Sequence, residues 1–312
     1  MTEQALPKTL TEAIRYFTQE KVCIEFVAQL RWSDGATCPR CKGRKVTFMA
    51  SRSLWNCKGC RKQFSVKVGT IFEDSAIPLS KWLCAIWMIV NAKNGVSSYE
   101  IGRSLGVTQK TGWFMMHRIR LALHRGSFNK KFSGPVEADE TYIGGLARNM
   151  HFKKREALKA QEKFGKIGKA IVMGMLERDG EVRTRIIEGA FAKEMKQTIR
   201  QHVEQGAVLY TDHHGSYHGL AREYAHKVIN HAREYVKGNV HTNGIENFWS
   251  LLKRGIKGTY VSVEPFHLFR YLDEQTFRFN ARKGNDQDRF MAAVSTVGGR
   301  RLTYQNLIGV SA

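Results

Sequence analysis

Three acidic residues that lie far apart in the sequence have the surroundings expected of metal ligands. Asp139 lies inside the β-like run VEADETYIGG, Asp212 ends the apolar run AVLYTD, and Glu246 begins the amphipathic segment IENFWSLL. A carboxylate within a strand is costly unless it is paired or binds a cation. Two strand carboxylates and one helix carboxylate can hold two Mg²⁺ or Mn²⁺ ions, which activate an attacking oxygen and stabilise a leaving oxygen at phosphorus. The pattern therefore predicts metal-dependent phosphodiester chemistry.

Each carboxylate also has an ordinary structural interpretation. Asp139 could be a turn residue, Asp212 a helix cap and Glu246 a solvated helix charge. Because strand residues alternate between faces, Asp139 is expected to share one face with Glu137, while Glu140 points to the other. The occurrence of all three in this order, in a basic chain, favours the catalytic interpretation.

Four of the six cysteines form two CxxC pairs. Cys38 and Cys41 make the first pair, Cys57 and Cys60 make the second, and 15 residues separate Cys41 from Cys57. Two such pairs supply the four thiolates of a structural Zn²⁺, and the intervening KVTFMASRSLWNC alternates like a β-hairpin. Two redox pairs or unrelated thiols are the alternative. The spacing predicts a zinc ribbon whose folding depends on the ion.

Residues 96–123 have the length of a helix-turn-helix, with capping and turn residues at the positions that this motif requires. A first helix over 99–105 would end at Gly106, and Thr108 would cap a second helix, which in this motif enters the major groove of DNA. An ordinary helical hairpin is the alternative. The predicted contacts nearest to the DNA bases are Gln109, Lys110 and Thr111. The predicted contacts nearest to phosphate are Arg118 and Arg120.

The charge of the chain points to a polyanionic partner. Its 312 residues include 50 Lys or Arg and 28 Asp or Glu, which gives a formal charge of +22. The stretches 35–72 and 101–133 are basic and contain no acidic residue. A basic surface that only aids solubility is the simpler alternative, but the phosphate backbone of double-stranded DNA fits such stretches best.

Composition excludes several classes of protein. A hydrophobic content of 42% excludes wholesale disorder. No apolar run approaches the ~20 residues that cross a bilayer, so no membrane partner is expected, and the first residues lack the pattern of a signal peptide. We therefore expect a cytoplasmic protein with reduced cysteines.

Four regions follow one another along the chain. We predict N-terminal helices and the zinc ribbon over 1–75, the helix-turn-helix over 76–130, a catalytic domain over 134–290 and a C-terminal tail over 291–312. Strands are predicted at 136–143, 170–177 and 182–188, followed by a helix and by the strand that ends at Asp212. The insert 148–169 carries eight Lys or Arg and two Glu, and it is expected to be a flexible loop that contacts DNA.

These motifs resemble those of DDE transposases with a ribonuclease H-like fold, in particular the IS1595 (ISXO2-like) insertion-sequence family. The resemblance is carried by CPRC…CKGC, VEADETYIGG, LYTDHHGSY, HTNGIENFWSLLKRGIKG and HLFRYLDEQTFRFNAR, which cover most of residues 20–285. It implies an α/β protein in which a zinc ribbon and a helix-turn-helix precede a mixed sheet flanked by helices. The predicted strands follow the β-β-β-α-β order of that fold.

The resemblance also implies catalytic residues. The expected acidic triad is Asp139, Asp212 and Glu246. The family also implies a catalytic lysine seven positions after the third acidic residue, which is Lys253 in this sequence. Some relatives carry Asn as the third residue, so Asn243 remains an alternative to Glu246. Mg²⁺ or Mn²⁺ is the implied cofactor of the triad, and Lys253 and Arg254 would hold phosphate near it.

The function implied is that of a DNA transposase. Such an enzyme binds the terminal inverted repeats of its element, hydrolyses a phosphodiester to free a 3′-OH, and joins that end to target DNA. Pairing two element ends argues for a homodimer or larger assembly on DNA. Two alternatives from other classes remain: a non-catalytic DNA-binding regulator derived from a transposase, and a ribonuclease H-type nuclease that cuts without joining.

Overall fold

The computed structural model describes residues 5–124, 130–145, 149–161, 168–229 and 241–309. The chain divides into two compact units, of which the first combines Met1–His124 with Ala281–Ala312 and the second is Arg125–Asn280. The two ends of the chain therefore belong to one unit. The sequence had instead predicted a catalytic domain that extends to residue 290 and a separate tail beyond it.

The first unit is mostly helical. Its helices are α1 (Leu10–Tyr16), α2 (Glu20–Arg31), α3 (Leu79–Asn91), α4 (Ser98–Leu105), α5 (Gln109–Leu123), α10 (Asp286–Val294) and α11 (Tyr304–Leu307). Helix α3 is buried along most of its length because its sequence is almost entirely apolar. Phe290 of α10 packs against Trp87 of α3 and Phe17, with ring centroids 5.0 and 5.6 Å away. Aromatic packing therefore ties the C-terminal helices to the N-terminal ones.

A small antiparallel sheet follows α2. It consists of β1 (Val46–Met49), β2 (Leu54–Cys57) and β3 (Gln63–Phe64), in that order. Trp55 is its hydrophobic centre, with the rings of Phe48 and Phe64 at centroid distances of 4.6 and 6.2 Å. The predicted hairpin between the cysteine pairs is confirmed.

Helices α4 and α5 lie where the sequence predicted two helices joined by a turn. Ser97 and Glu100 form a capping box at the start of α4, and Gly106 ends it at φ +60°. Thr108 caps α5 by accepting a hydrogen bond from the amide of Thr111. A Cβ on Gly112 would lie 2.9 Å from the carbonyl oxygen of Ser98, so only glycine allows the two helices to approach this closely.

The second unit is built on a five-stranded mixed sheet. In chain order the strands are β4 (Val136–Ile143), β5 (Ala170–Glu177), β6 (Val182–Ile187), β7 (Val208–Asp212) and β8 (Ala225–Ile229). Their order across the sheet is β6-β5-β4-β7-β8. The strands β4, β5 and β6 pair antiparallel, whereas β7 pairs parallel with both β4 and β8. The sequence predicted the first four strands but not β8.

Helices cover both faces of this sheet. The helices of this unit are α6 (Phe152–Gln161), α7 (Ala192–His202), α8 (Asn243–Arg254) and α9 (Leu268–Asn280), of which α7 covers one face and α8 and α9 cover the other. Met195 and Ile199 of α7 pack on one face with Val136 and Ala138, while Trp249 and other residues of α8 and α9 pack on the opposite face. The even-numbered residues at the start of β4 therefore face α7, and the odd-numbered ones face α8.

The basic insert contains helix α6, although the sequence predicted a flexible loop there. Residues 146–148 and 162–167 of that segment lie outside the described residues. In the ranges that the structure describes, every helix is too short or too polar to cross a membrane.

Candidate active site

The four paired cysteines converge on one point. Their sulfur atoms all lie within 4.8 Å of one another, with Cys38 Sγ 3.7 Å from Cys60 Sγ and Cys41 Sγ 3.5 Å from Cys57 Sγ. A residue in the left-handed conformation follows each pair directly, Lys42 after the first and Arg61 after the second. The chain therefore turns in the same way after both pairs. Four thiolates in this arrangement have the ligand type and number of a structural Zn²⁺ site.

The backbone around the cysteines favours thiolates. The amide N–H of Cys41 donates to the sulfur of Cys38 and lowers the pKa of that thiol to about 7. The amide of Cys60 lowers the pKa of Cys57 in the same way. The amide of Gly43 acts on Cys41 in the same direction, but hydrogen bonds with the sulfurs of Cys57 and Cys38 raise the pKa of that thiol to about 11. Because a metal binds the thiolate form, the backbone turns favour an ion, whose charge would also relieve the repulsion among the sulfurs.

Asp139 and Asp212 lie side by side on neighbouring parallel strands. Val136 pairs with Leu209 and Glu137 with Tyr210, and the same register continued by two residues sets Asp139 beside Asp212. Paired positions on adjacent strands are ~4.8 Å apart and point to the same face. Residues 73 positions apart in the sequence thus come close together where β7 ends beside β4.

The carboxylates of Asp139, Glu140 and Asp212 repel one another. Burial, together with the carboxylates of Glu140 and Asp212, raises the pKa of Asp139 to about 7. Burial and the charge of Asp212 also raise the pKa of Glu140. Oxygen donors that repel one another in a partly buried position match the needs of a divalent cation, whose charge would relieve the repulsion. The donor set therefore fits Mg²⁺ or Mn²⁺.

Helix α8, which carries Glu246, packs on the sheet face from which Asp139 points. The indole N–H of Trp249 donates to Asp139 Oδ2 at 3.0 Å, which fixes α8 against β4 at this point. Glu246, Trp249 and Lys253 are spaced three and four residues apart, so they follow one stripe of the helix. Glu246 is exposed, and its Oε1 accepts a hydrogen bond from Thr242 at 2.8 Å.

The three predicted acidic residues do not close into a complete metal cluster. Within the described ranges, the four cysteines are the one group of three or more Cys, His, Asp or Glu side chains that converges tightly enough for an ion. The structure therefore brings Asp139 and Asp212 together and leaves Glu246 on the adjacent helix face. Asn243, the alternative third residue, is also exposed, one turn earlier in α8.

Three other residues contact this site that the sequence did not identify as functional. Trp249 packs in the hydrophobic core beneath α8, and its indole N–H also donates to Asp139. Glu140 accepts a hydrogen bond from the buried hydroxyl of Tyr217 at 2.7 Å. Burial beside Glu140 raises the pKa of Tyr217 well above its ordinary value, so the phenol keeps its proton and acts as a donor. The adjacent acidic residues in ADET were the one available signal for Glu140.

A cavity of about 780 Å³ lies along the end of β4, with Glu140 in its wall. Lys253 lines it together with Lys169 and Lys257, and the acidic side chains in its wall are Glu140 and Glu264. Lysines at this edge of the site can hold phosphate groups by charge. Arg254, the other predicted phosphate contact, is exposed at the end of α8.

The first turn of α5 carries the predicted base-contacting residues. Gln109 Nε2 donates to Ser98 Oγ at 2.8 Å, and the hydroxyl of Thr111 lies 2.8 Å from that of Thr108. The exposed Lys110 lies with its Nζ 4.9 Å from the ring centroid of Tyr304. Of the three, Lys110 has the side chain most available to a polyanion.

The structure contradicts the prediction that Arg118 and Arg120 contact phosphate. Arg118 is 3% exposed, and it donates to the carbonyl oxygens of Leu302 at 3.0 Å and Glu73 at 2.8 Å. Arg120 is 1% exposed. The two arginines therefore belong to the interior, where Arg118 links α5 to distant segments of the chain.

Comparison with known proteins identifies the same two regions. Residues 131–280 match the family of the ISXO2-like transposase domain, and residues 18–63 match the transposase zinc-ribbon domain, both of IS1595 type. A protein of Halobacterium salinarum, described as an uncharacterized protein in transposable element ISH50, is 27% identical over 255 residues. That alignment covers 77% of this chain and 84% of the relative. No solved structure matches the chain.

Proposed function

Since the chain belongs to the IS1595 family of transposases, we propose that it binds the terminal inverted repeats of an insertion sequence, cleaves DNA strands there and joins them to target DNA. One observation carries the catalytic part of this proposal. Asp139 and Asp212 come close together on adjacent parallel strands, and burial, with the nearby charges of Glu140 and Asp212, raises the pKa of Asp139 to about 7. An acidic pair of this kind is suited to a divalent cation in phosphoryl transfer.

The catalytic domain is proposed to have a ribonuclease H-like fold. Three antiparallel strands followed in the chain by a helix and two parallel strands support this assignment, with the first strand central in the sheet. The first and fourth strands of this order carry Asp139 and Asp212. The helix α8, which carries Glu246, covers the face of the sheet from which Asp139 points.

Asp139 and Asp212, with Glu246 as the third carboxylate, would hold the metal. When bound, divalent cations would supply the positive charge that activates the attacking oxygen and stabilises the leaving oxygen. Trp249 orients the carboxylate of Asp139 by its hydrogen bond.

The cations around the acidic site would hold the DNA. Lys253 would hold a phosphate of the bound strand, and Lys169 and Lys257 would continue that contact along the cavity. We also propose that Arg254 binds phosphate at the end of α8. The overall charge of +22 supports a polyanionic substrate.

DNA recognition is proposed to lie in the first unit. The zinc ribbon and the pair α4–α5 would form its DNA-binding surface, with Gln109, Lys110 and Thr111 on the helix that enters the major groove. The close glycine-mediated packing of α4 and α5 supports a helix-turn-helix. Because two element ends must be brought together, we propose that at least two chains act on DNA.

A single assay tests this function. Labelled element ends, a target plasmid and Mg²⁺ are incubated with the wild-type protein, Asp139→Asn, and Glu188→Gln as the control. Glu188 is exposed just beyond β6 and lies outside the proposed site. We expect cut ends with free 3′-OH groups and joined products from the wild type and Glu188→Gln, whereas Asp139→Asn binds DNA and yields neither product.

Other products would support a different function. Cutting without joining would indicate a nuclease, and binding without cutting by the wild type would indicate a regulator. Wild-type activity in Asp139→Asn would overturn the proposed site.

A further inference from the structure

A second acidic residue, Glu137, lies on the same face of β4 as Asp139, but its carboxylate is fully committed to protein groups. Glu137 is 1% exposed. Its Oε1 accepts a hydrogen bond from Arg178 Nε at 2.9 Å and lies 3.4 Å from His241 Nδ1. Arg178 is itself fixed, because its guanidinium lies 4.0 Å above the ring of Tyr210 and donates to the carbonyl oxygen of His241 at 2.8 Å.

The other oxygen of Glu137 caps helix α8. Its Oε2 accepts a hydrogen bond from the amide of Ile245, the third residue of the helix, at 3.0 Å. That amide is normally satisfied by the side chain of the helix's own N-cap residue. Here the N-cap residue Thr242 makes no such bond, and its hydroxyl donates to Glu246 instead. A carboxylate on strand β4 thus replaces the missing cap, and its charge favours the positive end of the helix.

Glu137 and Asp139 therefore hold α8 at two successive points. Glu137 binds the amide of Ile245, and Asp139 binds the indole of Trp249 one helical turn later. Glu246 lies between these two points. The contact is close: a Cβ on Gly244 would lie 2.8 Å from Glu137 Oε2, so the first turn of α8 is seated directly on the carboxylate.

We propose that Glu137 is a positioning residue, which holds the first turn of α8 so that Glu246 can share a divalent cation with Asp139 and Asp212. This inference rests on the proposed function, because it assigns the purpose of the contact to the metal site of that function. Glu137 itself does not contact the cation. Its own oxygens are occupied by Arg178 and Ile245, and it acts through the placement of Glu246.

The test measures Mn²⁺ binding to the full-length, zinc-loaded protein, freed of other divalent cations and without DNA, by the electron paramagnetic resonance of free Mn²⁺. Glu137→Gln removes the charge, whereas Glu137→Asp keeps the charge and shortens the reach by one methylene. We expect both variants to bind Mn²⁺ roughly tenfold more weakly or worse, as for other residues that orient metal ligands. Glu188→Gln, which removes an exposed charge, should stay within about twofold of the wild type.

Two further readouts separate positioning from a general effect on folding. The amide of Ile245 should exchange its hydrogen faster in both Glu137 variants, while amides of β4 keep their protection. In a Glu246→Gln background, Glu137→Asp should weaken Mn²⁺ binding by less than about twofold further, because its effect passes through Glu246.

Specific results would overturn the proposal. Wild-type Mn²⁺ affinity in Glu137→Asp would show that only the charge of Glu137 matters, and additive effects with Glu246→Gln would show that it does not act through that residue. If Glu137→Gln fails to fold, Glu137→Asp decides the matter. If neither folds, Glu137 holds the whole domain together, and the proposal is wrong.

Failure of the proposed function gives a different result. In that case the wild type and Asp139→Asn would bind Mn²⁺ equally. If instead Asp139→Asn loses Mn²⁺ binding but Glu137→Asp does not, only the role of Glu137 is refuted.

Discussion

The two candidate metal sites of this chain are built in opposite ways. All four cysteines come from residues 38–60, and backbone amides in their own turns lower the pKa of Cys38 and Cys57. The carboxylates come from two strands and a helix spread over residues 139–246, and burial with like charges raises the pKa of Asp139 to about 7. The cysteine site is thus completed by local folding. The acidic site holds unfavourable charges that a cation would relieve, as expected where a metal takes part in a reaction.

The largest expected effect comes from removing a carboxylate. Asp212→Asn should reduce the rate of DNA cleavage by at least ~10²–10³-fold, the range for losing one electrostatic group at a reacting centre. DNA affinity should stay close to that of the wild type, because the predicted DNA contacts lie elsewhere. Single-turnover cleavage and gel-shift assays measure the two quantities. Retained cleavage, with Glu188→Gln as the matched control, would remove Asp212 from the site.

Replacing a cysteine ligand should weaken DNA binding and leave metal binding at the acidic site unchanged. Cys57→Ser should lose the zinc, as measured by metal analysis, and should weaken DNA binding roughly tenfold or more because the ribbon depends on the ion to fold. Mn²⁺ affinity at the acidic site should not change. A variant that keeps one zinc per chain and full DNA affinity would contradict a structural role for the cluster.

The raised pKa of Asp139 predicts how the stability of the protein, without Mg²⁺ or Mn²⁺, depends on pH. In the unfolded chain this carboxyl ionises near its ordinary pKa of 3.8, but in the folded protein it stays protonated up to about pH 7. Its contribution to stability is complete below pH 3.8 and is lost as pH rises through about 7. From pH 5 to 8, Asp139→Asn should therefore gain on the order of 3 kcal/mol of unfolding free energy relative to the wild type.

Denaturant unfolding of the zinc-loaded protein, in buffer free of Mg²⁺ and Mn²⁺, measures this difference. Saturating Mg²⁺ should shrink it, because the ion stabilises the wild type alone. A difference that is independent of pH would show that Asp139 is not under electrostatic strain.

The smallest expected effect is on the salt dependence of DNA binding, and it should differ between the exposed Lys110 and the buried Arg118. Lys110→Ala should reduce the slope of log affinity against log salt concentration by about 0.9, the loss of one phosphate contact. Arg118→Met should lower the melting temperature and leave that slope unchanged, because Arg118 is buried and bonds to backbone carbonyls. The reverse pattern would restore the sequence-based prediction for Arg118.

The sequence predicts best where the decisive contacts are local or periodic. The CxxC spacing predicted the cysteine cluster because each knuckle is a short turn. The bounds of β4 and β5 matched their predictions because turn residues flank both strands: Gly134-Pro135 and Gly144 around β4, and Gly168 and Gly180 around β5. Asp212 was expected at a ligand site because the end of a strand is a recurrent place for ligands in sheets of this type.

Contacts between distant segments could not be predicted in this way. Arg118 has the spacing of a surface residue on α5, but its partners lie 45 and 184 positions away in the chain. Tyr304 reaches Lys110 from a segment that the sequence predicted to be a separate tail. Trp249 has the pattern of a core residue, and only the fold shows that its indole holds Asp139.

The most direct test of the account is the location of a bound ion. Crystals of the protein are soaked in Mn²⁺, and diffraction data are collected at the manganese absorption edge. We predict an anomalous peak within coordination distance, ~2.2 Å, of carboxylate oxygens of both Asp139 and Asp212, with Glu246 turned toward it from α8. A protein that cleaves DNA with Mn²⁺ but shows no peak at these carboxylates would contradict the proposed site.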